Sequence, residues 1–246
     1  MHSTIDITYG ANAQVIEPAI LYFGTPVVLI GSTNEDGSPN LAPMSSAWWV
    51  GWRGMLGLAR NSKTTENMIR TGECVLNLAS ADLVDAVNNL ARTTGSNPVP
   101  PGKIRRGYRH ERNKFEISGL TALPGETVAA PRAAECPVQI EAKVAHVHDM
   151  AQEDEVWRGN LVAVEVRVTR VHAHPGILMD GQSNRIDPDK WRPLIMSFQQ
   201  FYGLTPERLQ RSELGQIPEA LYKPAGRRPR AFSVSIESKR GSRSLI

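Results

Sequence analysis

Between Arg60 and Thr65 the chain places two cations and three hydroxyls, Arg60, Ser62, Lys63, Thr64 and Thr65, and runs from them into a segment of helical composition. A phosphate group needs such a set. With Ser62 as N-cap, the unpaired amides of Lys63 to Thr65, the positive end of the helix dipole and the side chains would converge on one point, with Arg60 as a clamp from the preceding strand end. The same residues also read as a capped helix on a wet surface, and the stretch by itself leaves both readings open.

A second cluster is "NLAPMSSAWWVGW", Asn40 to Trp52, which holds Trp48, Trp49 and Trp52 of the five tryptophans beside Ser45 and Ser46. Indole faces next to small hydroxylic residues suit a planar ring that stacks on aromatics and hydrogen-bonds to backbone. A packing patch or a dimer interface would use the same residues.

The third is a pair of His-x-His motifs, His146-His148 and His172-His174. Residues i and i+2 of a strand share a face, so each pair has chelating spacing. If residues 138–148 and 160–172 form an antiparallel hairpin, however, His146 lies opposite about residue 163 and His172 opposite about 137. The pairs then stand on the order of 30 Å apart at ~3.3 Å per residue, so a shared four-histidine site is not expected and no metal is assigned. GxGxxG after a strand, the Walker-type GxxxxGK[ST], GxSxG, HExxH and CxxC are all missing, and "GWRGMLG" has the wrong glycine spacing. A nucleotide held here is therefore not held in a Rossmann crevice.

The elements that must carry these residues are mostly strands. "PVVLIGST" (Pro26 to Thr33) is apolar and β-branched, and the Asp36-Gly37 turn signal after it leads to a partner beginning at Leu41. "GMLGLA" (Gly54 to Ala59) and "ECVLNLA" (Glu73 to Ala79) read as further strands. Lys63 to Arg70 reads as a helix stopped at Thr71-Gly72, and a second helix is expected around Ala81 to Arg92. Thr93 to Asn113 is polar and rich in Pro and Gly, a long loop of the kind that serves as a lid or partner contact. "KFEIS" and a turn-rich passage to Pro131 follow, then strands Val138–His148 and Asn160–His172. In the second, Val162, Val164, Val166 and Val168 alternate with Ala163, Glu165, Arg167 and Thr169, so one face is buried and one is polar. Many strands with few helices favour a barrel over a doubly wound sheet.

Composition sets the outer limits. The 246 residues, 41% hydrophobic, hold no apolar run long enough to span a membrane, and "MHSTIDITYG" has neither a basic start nor an apolar stretch, so a cytoplasmic location without a signal is expected. Cys74 and Cys136 are far apart in apolar segments and read as buried thiols. The net charge of +3 is uneven. From Lys223 onward seven basic residues stand against Glu237 alone, a net +6, which leaves residues 1–222 at −3. The expected division is a domain over 1–222 and a basic tail over 223–246, with no nucleic-acid partner.

Together, "TPVVLIGSTNEDGSPNLAPMSSAWW", "RNSKTTENMIRTGECVLNL", "NKFEISGLT", "AAPRAAECPVQIEAKV", "GNLVAVEVRVTRVH" and "DKWRPLIMSFQQFYGL" resemble the flavin reductase-like, FMN-binding split-barrel family in its flavoredoxin-like branch, over about residues 22–204. The resemblance implies a mainly β fold, a six-stranded Greek-key split barrel with a few peripheral helices, usually a homodimer with FMN near the dimer interface. It implies that Arg60, Ser62, Lys63, Thr64 and Thr65 receive the flavin phosphate. It also implies that Pro43, Ser45, Ser46, Ala47 and Trp48 lie along the isoalloxazine ring and ribityl chain. The activity implied is hydride transfer from NADH or NADPH to flavin, with reduced flavin passed to a partner monooxygenase. Two alternatives stand beside it: a flavoprotein that keeps its FMN and acts on an organic small molecule, and a non-catalytic flavin-binding protein. One departure bears on the donor. The short reductases carry Gly-Asp-His just before the strand matching Asn160 onward, and this chain has Glu153-Asp154-Glu155. His172 and His148 are the candidate catalytic substitutes, each with an ordinary strand histidine as the other reading.

Overall fold

The computed structural model describes residues 13–222, and the basic tail lies outside them. The chain divides after Glu207 into two compact units. In the second, the described residues 208–222 hold one-turn helices Glu213–Gln216 and Glu219–Tyr222, the first capped by the Ser212 hydroxyl, which accepts from Leu214 N at 3.2 Å.

The first unit is built on strands β1 (Val28–Thr33), β2 (Pro39–Met44), β3 (Ala47–Val50), β4 (Arg53–Ala59), β5 (Glu73–Leu78), β6 (Val138–Asp149) and β7 (Leu161–Ala173). They form one antiparallel sheet in the order β2-β1-β5-β6-β7-β4-β3, seven strands where the family resemblance implies six. The helices are α1 (Lys63–Thr71), α2 (Val84–Leu90), α3 (Pro101–Ile104) and α4 (Lys114–Ser118). Mainly β with a few peripheral helices is thus what the chain adopts.

Two cores explain the apolar patterning. Val28, Ile30, Leu56, Cys74, Leu76, Val162, Val164, Val166 and Val168 fill the interior of the sheet. Val27, Leu29 and Leu41 turn the other way and meet Val87, Leu90, Phe115 and Leu194. Because β1 is covered on both faces, its sequence is an unbroken apolar run, whereas β7 is covered on one and alternates. The close cover is visible at Gly31, where a Cβ would stand 2.1 Å from the carbonyl oxygen of Pro131. Asn77 ties that covering segment down, donating to Leu29 O at 3.0 Å and accepting from Ala133 N at 2.8 Å.

Local signals act as expected at α1. Ser62 accepts from Thr65 N at 3.2 Å, and Gly72 closes the helix in the left-handed conformation with its N–H on Met68 O. Elsewhere tertiary contacts add order. The 93–113 segment contains a two-residue parallel pairing of Thr93–Thr94 with Arg109–His110 and the short helix α3, and "KFEIS" is α4. Cys74 sits on β5, but Cys136 lies in the turn before β6; both thiols are free, and burial pushes each up to about 12. In the β6–β7 hairpin, His146 faces Glu165 and His172 faces Gln139, two residues from the expected register, because the turn runs from Met150 to Asn160 and brings Asp149 opposite Val162.

Candidate functional site

The Ser45–Ser46 turn and the Arg60–Thr65 turn meet at the same end of β4. Ser46 O accepts from Gly57 N at 2.8 Å, and Arg60 follows three residues later, roughly 10 Å along the strand. Arg60 N donates to Asn160 O at 2.9 Å, so the β6–β7 turn closes on the same place. Asn40 of β2 completes the frame by donating to Thr64 Oγ1 at 3.2 Å and Ser32 Oγ at 3.0 Å. The two clusters that are separate in sequence are therefore neighbours in space.

Within this frame the hydroxyls and cations divide by role. Thr65 is fully buried; its hydroxyl donates to Ala59 O at 2.8 Å and lies 2.8 Å from Ser62 Oγ, so it locks the strand end to the helix. Thr64 is also buried, on Asn40. The outward donors are Arg60, which pairs with Asp149, and Lys63, whose Nζ is 2.9 Å from Glu66 Oε2 and 3.4 Å from Glu35 Oε1. The hydrogen bond that Lys63 Nζ donates to Glu66 raises the Lys63 pKa above its ordinary value, so the ammonium is firmly charged. The amides of Lys63 and Thr64, at the first helical turn, have no intrahelical acceptor. An anion at this point would meet two cations and two free amides, after displacing carboxylates from the cations.

The tryptophans split by strand alternation. Trp48, opposite Met55 on edge strand β3, is 56% exposed, as Trp52 is largely. Trp49 points inward against the first core, and its Nε1 is buried without a hydrogen-bond partner among the described residues. Ala47 is buried and Ser45 nearly so, while Pro43 and Ser46 are half-buried. The stacking reading therefore attaches to Trp48, and Trp49 is a packing residue.

The two candidate histidines lie at opposite ends of the hairpin. His148 is beside Asp149 and 3.8 Å from Glu165 Oε2, near the Arg60 turn. Leu161 pairs with Ala59, and His172 is eleven residues further along β7, roughly 35 Å away within one chain. There its Nε2 is 2.8 Å from Oε1 of the fully buried Glu141. Burial acts to raise the Glu141 pKa, but hydrogen bonds from Thr127 Oγ1 and N, at 2.5 Å each, and from His172 outweigh it and hold the group low. The bland reading of His172, a strand histidine satisfied by a neighbour, has a concrete partner here.

Asp149, Glu66, Glu35 and Asn40 are site residues that the sequence reading did not single out. Glu66 carries a readable signal, three residues after Lys63 on a helix. Asp149 carries none, since only the hairpin register brings it to Arg60. In the β6–β7 turn, Asp154 Oδ1 accepts from Val156 N at 2.8 Å and Trp157 N at 3.1 Å, so the acidic triplet in place of Gly-Asp-His shapes a turn. Among the described residues no three metal-ligating side chains gather. No helix there is long and apolar enough to cross a membrane.

Four similarities to known proteins stand beside this geometry. The model of the flavin reductase like domain matches residues 20–202. YdfE of Bacillus subtilis (strain 168) is 38% identical over 189 residues, 77% of this chain and 88% of that one. Among solved structures, flavoredoxin of Desulfovibrio vulgaris (Miyazaki F) superposes with a TM-score of 0.63 at 20% identity, covering 86% of this chain and all of that one. Nitrilotriacetate monooxygenase component B from Bacillus cereus superposes with 0.61 at 19%, covering 77% and 88%.

Proposed function

The chain belongs to the flavin reductase-like family, and on that premise we propose that it is an FMN-dependent oxidoreductase that draws hydride from NADH or NADPH. The observation that carries the reading is the meeting of Arg60, Lys63 and the free amides of the first turn of α1 with the Ser45–Ser46 turn at one end of β4. That donor set fits a phosphate dianion joined to a polar chain and a flat ring. Arg60 and Lys63 would hold the phosphate, and Ser45, Ser46 and the backbone from Pro43 to Ala47 would flank the rest, with Trp48 presenting an exposed indole face. Thr64 and Thr65 keep the turn in shape and Ser62 caps it, so these three act by position.

FMN, when bound, supplies reversible two-electron redox chemistry. The chain's own part is binding and orientation, and neither Trp48 nor the serines need to move a proton. His148 is the better placed of the two histidines for a role at the ring, since His172 is engaged with Glu141. The exposed edge strand β3, with Trp48 and Val50, and Trp52 in the turn after it, support a homodimer as the working form. The likeness to a monooxygenase component supports delivery of reduced flavin to a partner monooxygenase.

A second reading rests on Glu153-Asp154-Glu155. With an acidic turn where the short reductases have Gly-Asp-His, a pyridine nucleotide meets repulsion, and an enzyme that retains FMN and reduces or oxygenates its own organic substrate gains support. The visible spectrum of the protein with FMN, taken anaerobically before and after NADH and then NADPH, decides between them. Bleaching establishes the pyridine-nucleotide reductase and its donor, a bound flavin that stays oxidised favours the second reading, and no bound flavin refutes both.

A further inference from the structure

The exposed arginines around the 93–113 segment have no use in the flavin reading. From Arg92 to Arg112 six basic residues stand against Glu111 alone, a net +5, which leaves the rest of residues 1–222 at −8. Arg112 is neutralised by Asp36, and Arg106 lies over the Tyr108 ring, 5.6 Å from its centre. Arg92, Arg105, Arg106 and Arg109 form no ion pair with any described residue.

Two of the four face one groove. An open concavity of about 440 Å³ between the end of α2 and the loop is lined by Asn88, Asn89, Ala91, Arg92, Gly107 and Arg109. The backbone fixes the two arginines side by side. Arg109 N donates to Arg92 O at 3.0 Å, and Thr93–Thr94 pair in parallel with Arg109–His110. Arg92 takes the left-handed conformation at φ 53°, uncommon for a residue other than glycine, and its Nη1 reaches to 3.5 Å from where a Cβ on Gly107 would stand. No carboxylate lines the groove, and the negative end of the α2 dipole supplies only about half a unit of charge against two guanidiniums. Guanidinium forks match the oxygens of a phosphomonoester, and the two asparagine amides can both donate and accept at a polar ring system beside it.

The groove is separate from the Arg60–Lys63 site but close to it. Arg109 lies opposite Thr93, and two residues on, a Cβ on Gly95 would stand 2.9 Å from Lys63 Cγ. At ~3.3 Å per residue and ~4.8 Å between strands, Arg109 is on the order of 8 Å from that contact, within the span of one dinucleotide. We propose that Arg92 and Arg109 hold the 2′-phosphate of NADPH, with Asn88 and Asn89 beside its adenosine, so that this groove selects NADPH over NADH. A site built around a charged group rejects the analogue that lacks it, because its cations then stay unpaired. The choice of NADPH rests on the pyridine-nucleotide reading, but recognition of a phosphorylated adenosine is testable without it.

The test uses the full chain and the variants R92Q, R109Q and R105Q. Calorimetric titration with adenosine 2′,5′-bisphosphate and with AMP reads the groove directly. The wild-type chain is expected to bind the bisphosphate at least tenfold more tightly than AMP, and R92Q and R109Q should each cut that preference at least fivefold. R105Q removes a charge from the same loop outside the groove and should change it by less than twofold. Equal binding of the two ligands by the wild-type chain overturns the proposal, and so does an equal fall in all three variants, which would mean diffuse charge. A second arm measures oxidation of NADPH and of NADH with FMN. The ratio of their kcat/KM values should exceed ten and fall at least fivefold in R109Q, and a ratio of one or below refutes NADPH selection. If neither nucleotide reduces the flavin, the donor reading fails and calorimetry decides for the groove alone. A bisphosphate preference lost in R109Q then upholds it as a site for phosphorylated adenosine, and equal binding refutes it.

Discussion

Replacing Glu66 with glutamine should tighten FMN binding, an outcome that a purely structural view of the helix start does not give. In the free protein Glu66 Oε2 holds Lys63 Nζ at 2.9 Å, and Glu35 adds a weaker contact at 3.4 Å. A phosphate approaching Lys63 must displace Glu66 or share the ammonium with it. Two unit charges ~6 Å apart repel by roughly 0.7 kcal/mol in bulk water and ~3 kcal/mol at an effective dielectric of ~20. The Glu66 side chain is 46% exposed, so screening places the effect toward the lower end, at about 1 kcal/mol. That corresponds to roughly fivefold tighter FMN binding for E66Q, larger at low salt and smaller at high salt. The assay is fluorescence titration with FMN and riboflavin in parallel at two ionic strengths. Riboflavin affinity should not move. Unchanged or weaker FMN binding, or an equal gain for riboflavin, would refute the placement of phosphate at Lys63.

The other expectations concern what holds the site. Thr65→Val keeps the shape but leaves Ala59 O and the Ser62 hydroxyl without their buried partner, so unfolding in urea should show a loss of about 1–3 kcal/mol. Glu141→Gln removes the buried carboxylate that Thr127 and His172 share and leaves a weaker acceptor in its place, at a cost of about 1–3 kcal/mol at pH 7. The Glu141 pKa is lowered in the folded state, so its charge contributes stability that is present above the ordinary carboxylate value of 4.5 and is lost as pH falls through the lower folded value. Denaturation series between pH 7 and pH 3 should therefore show this acid-side loss in the wild-type chain and a shallower one in E141Q. His172→Ala should lower stability and leave flavin affinity unchanged, whereas an unchanged unfolding midpoint would return His172 to the list of functional candidates.

Much of the fold was open to reading because neighbours in sequence dictate it. The Asp36-Gly37 turn between apolar runs makes β1 and β2 a hairpin, the valine alternation makes β7 one-faced, and Ser62 and Gly72 bound α1 through local hydrogen bonds. The long loop yielded less, since the pairing of Thr93–Thr94 with Arg109–His110 is parallel and depends on contacts distant in sequence. Register in the β6–β7 hairpin was also out of reach, because a polar eleven-residue turn has several ways to close.

The sequence by itself thus determined the type of chemistry available: cations, hydroxyls and indoles in two short clusters, and no nucleophile motif. Tertiary structure alone decided which of those groups face outward. Thr64 and Thr65 are absorbed by Asn40 and Ala59, Trp49 by the core, and His172 by Glu141, while Arg60, Lys63 and Trp48 remain at the surface. The physical reason is that a polar side chain bonds to whatever partner packing brings within hydrogen-bond reach, and for Thr64 and His172 that partner lies 24 and 31 residues away along the chain.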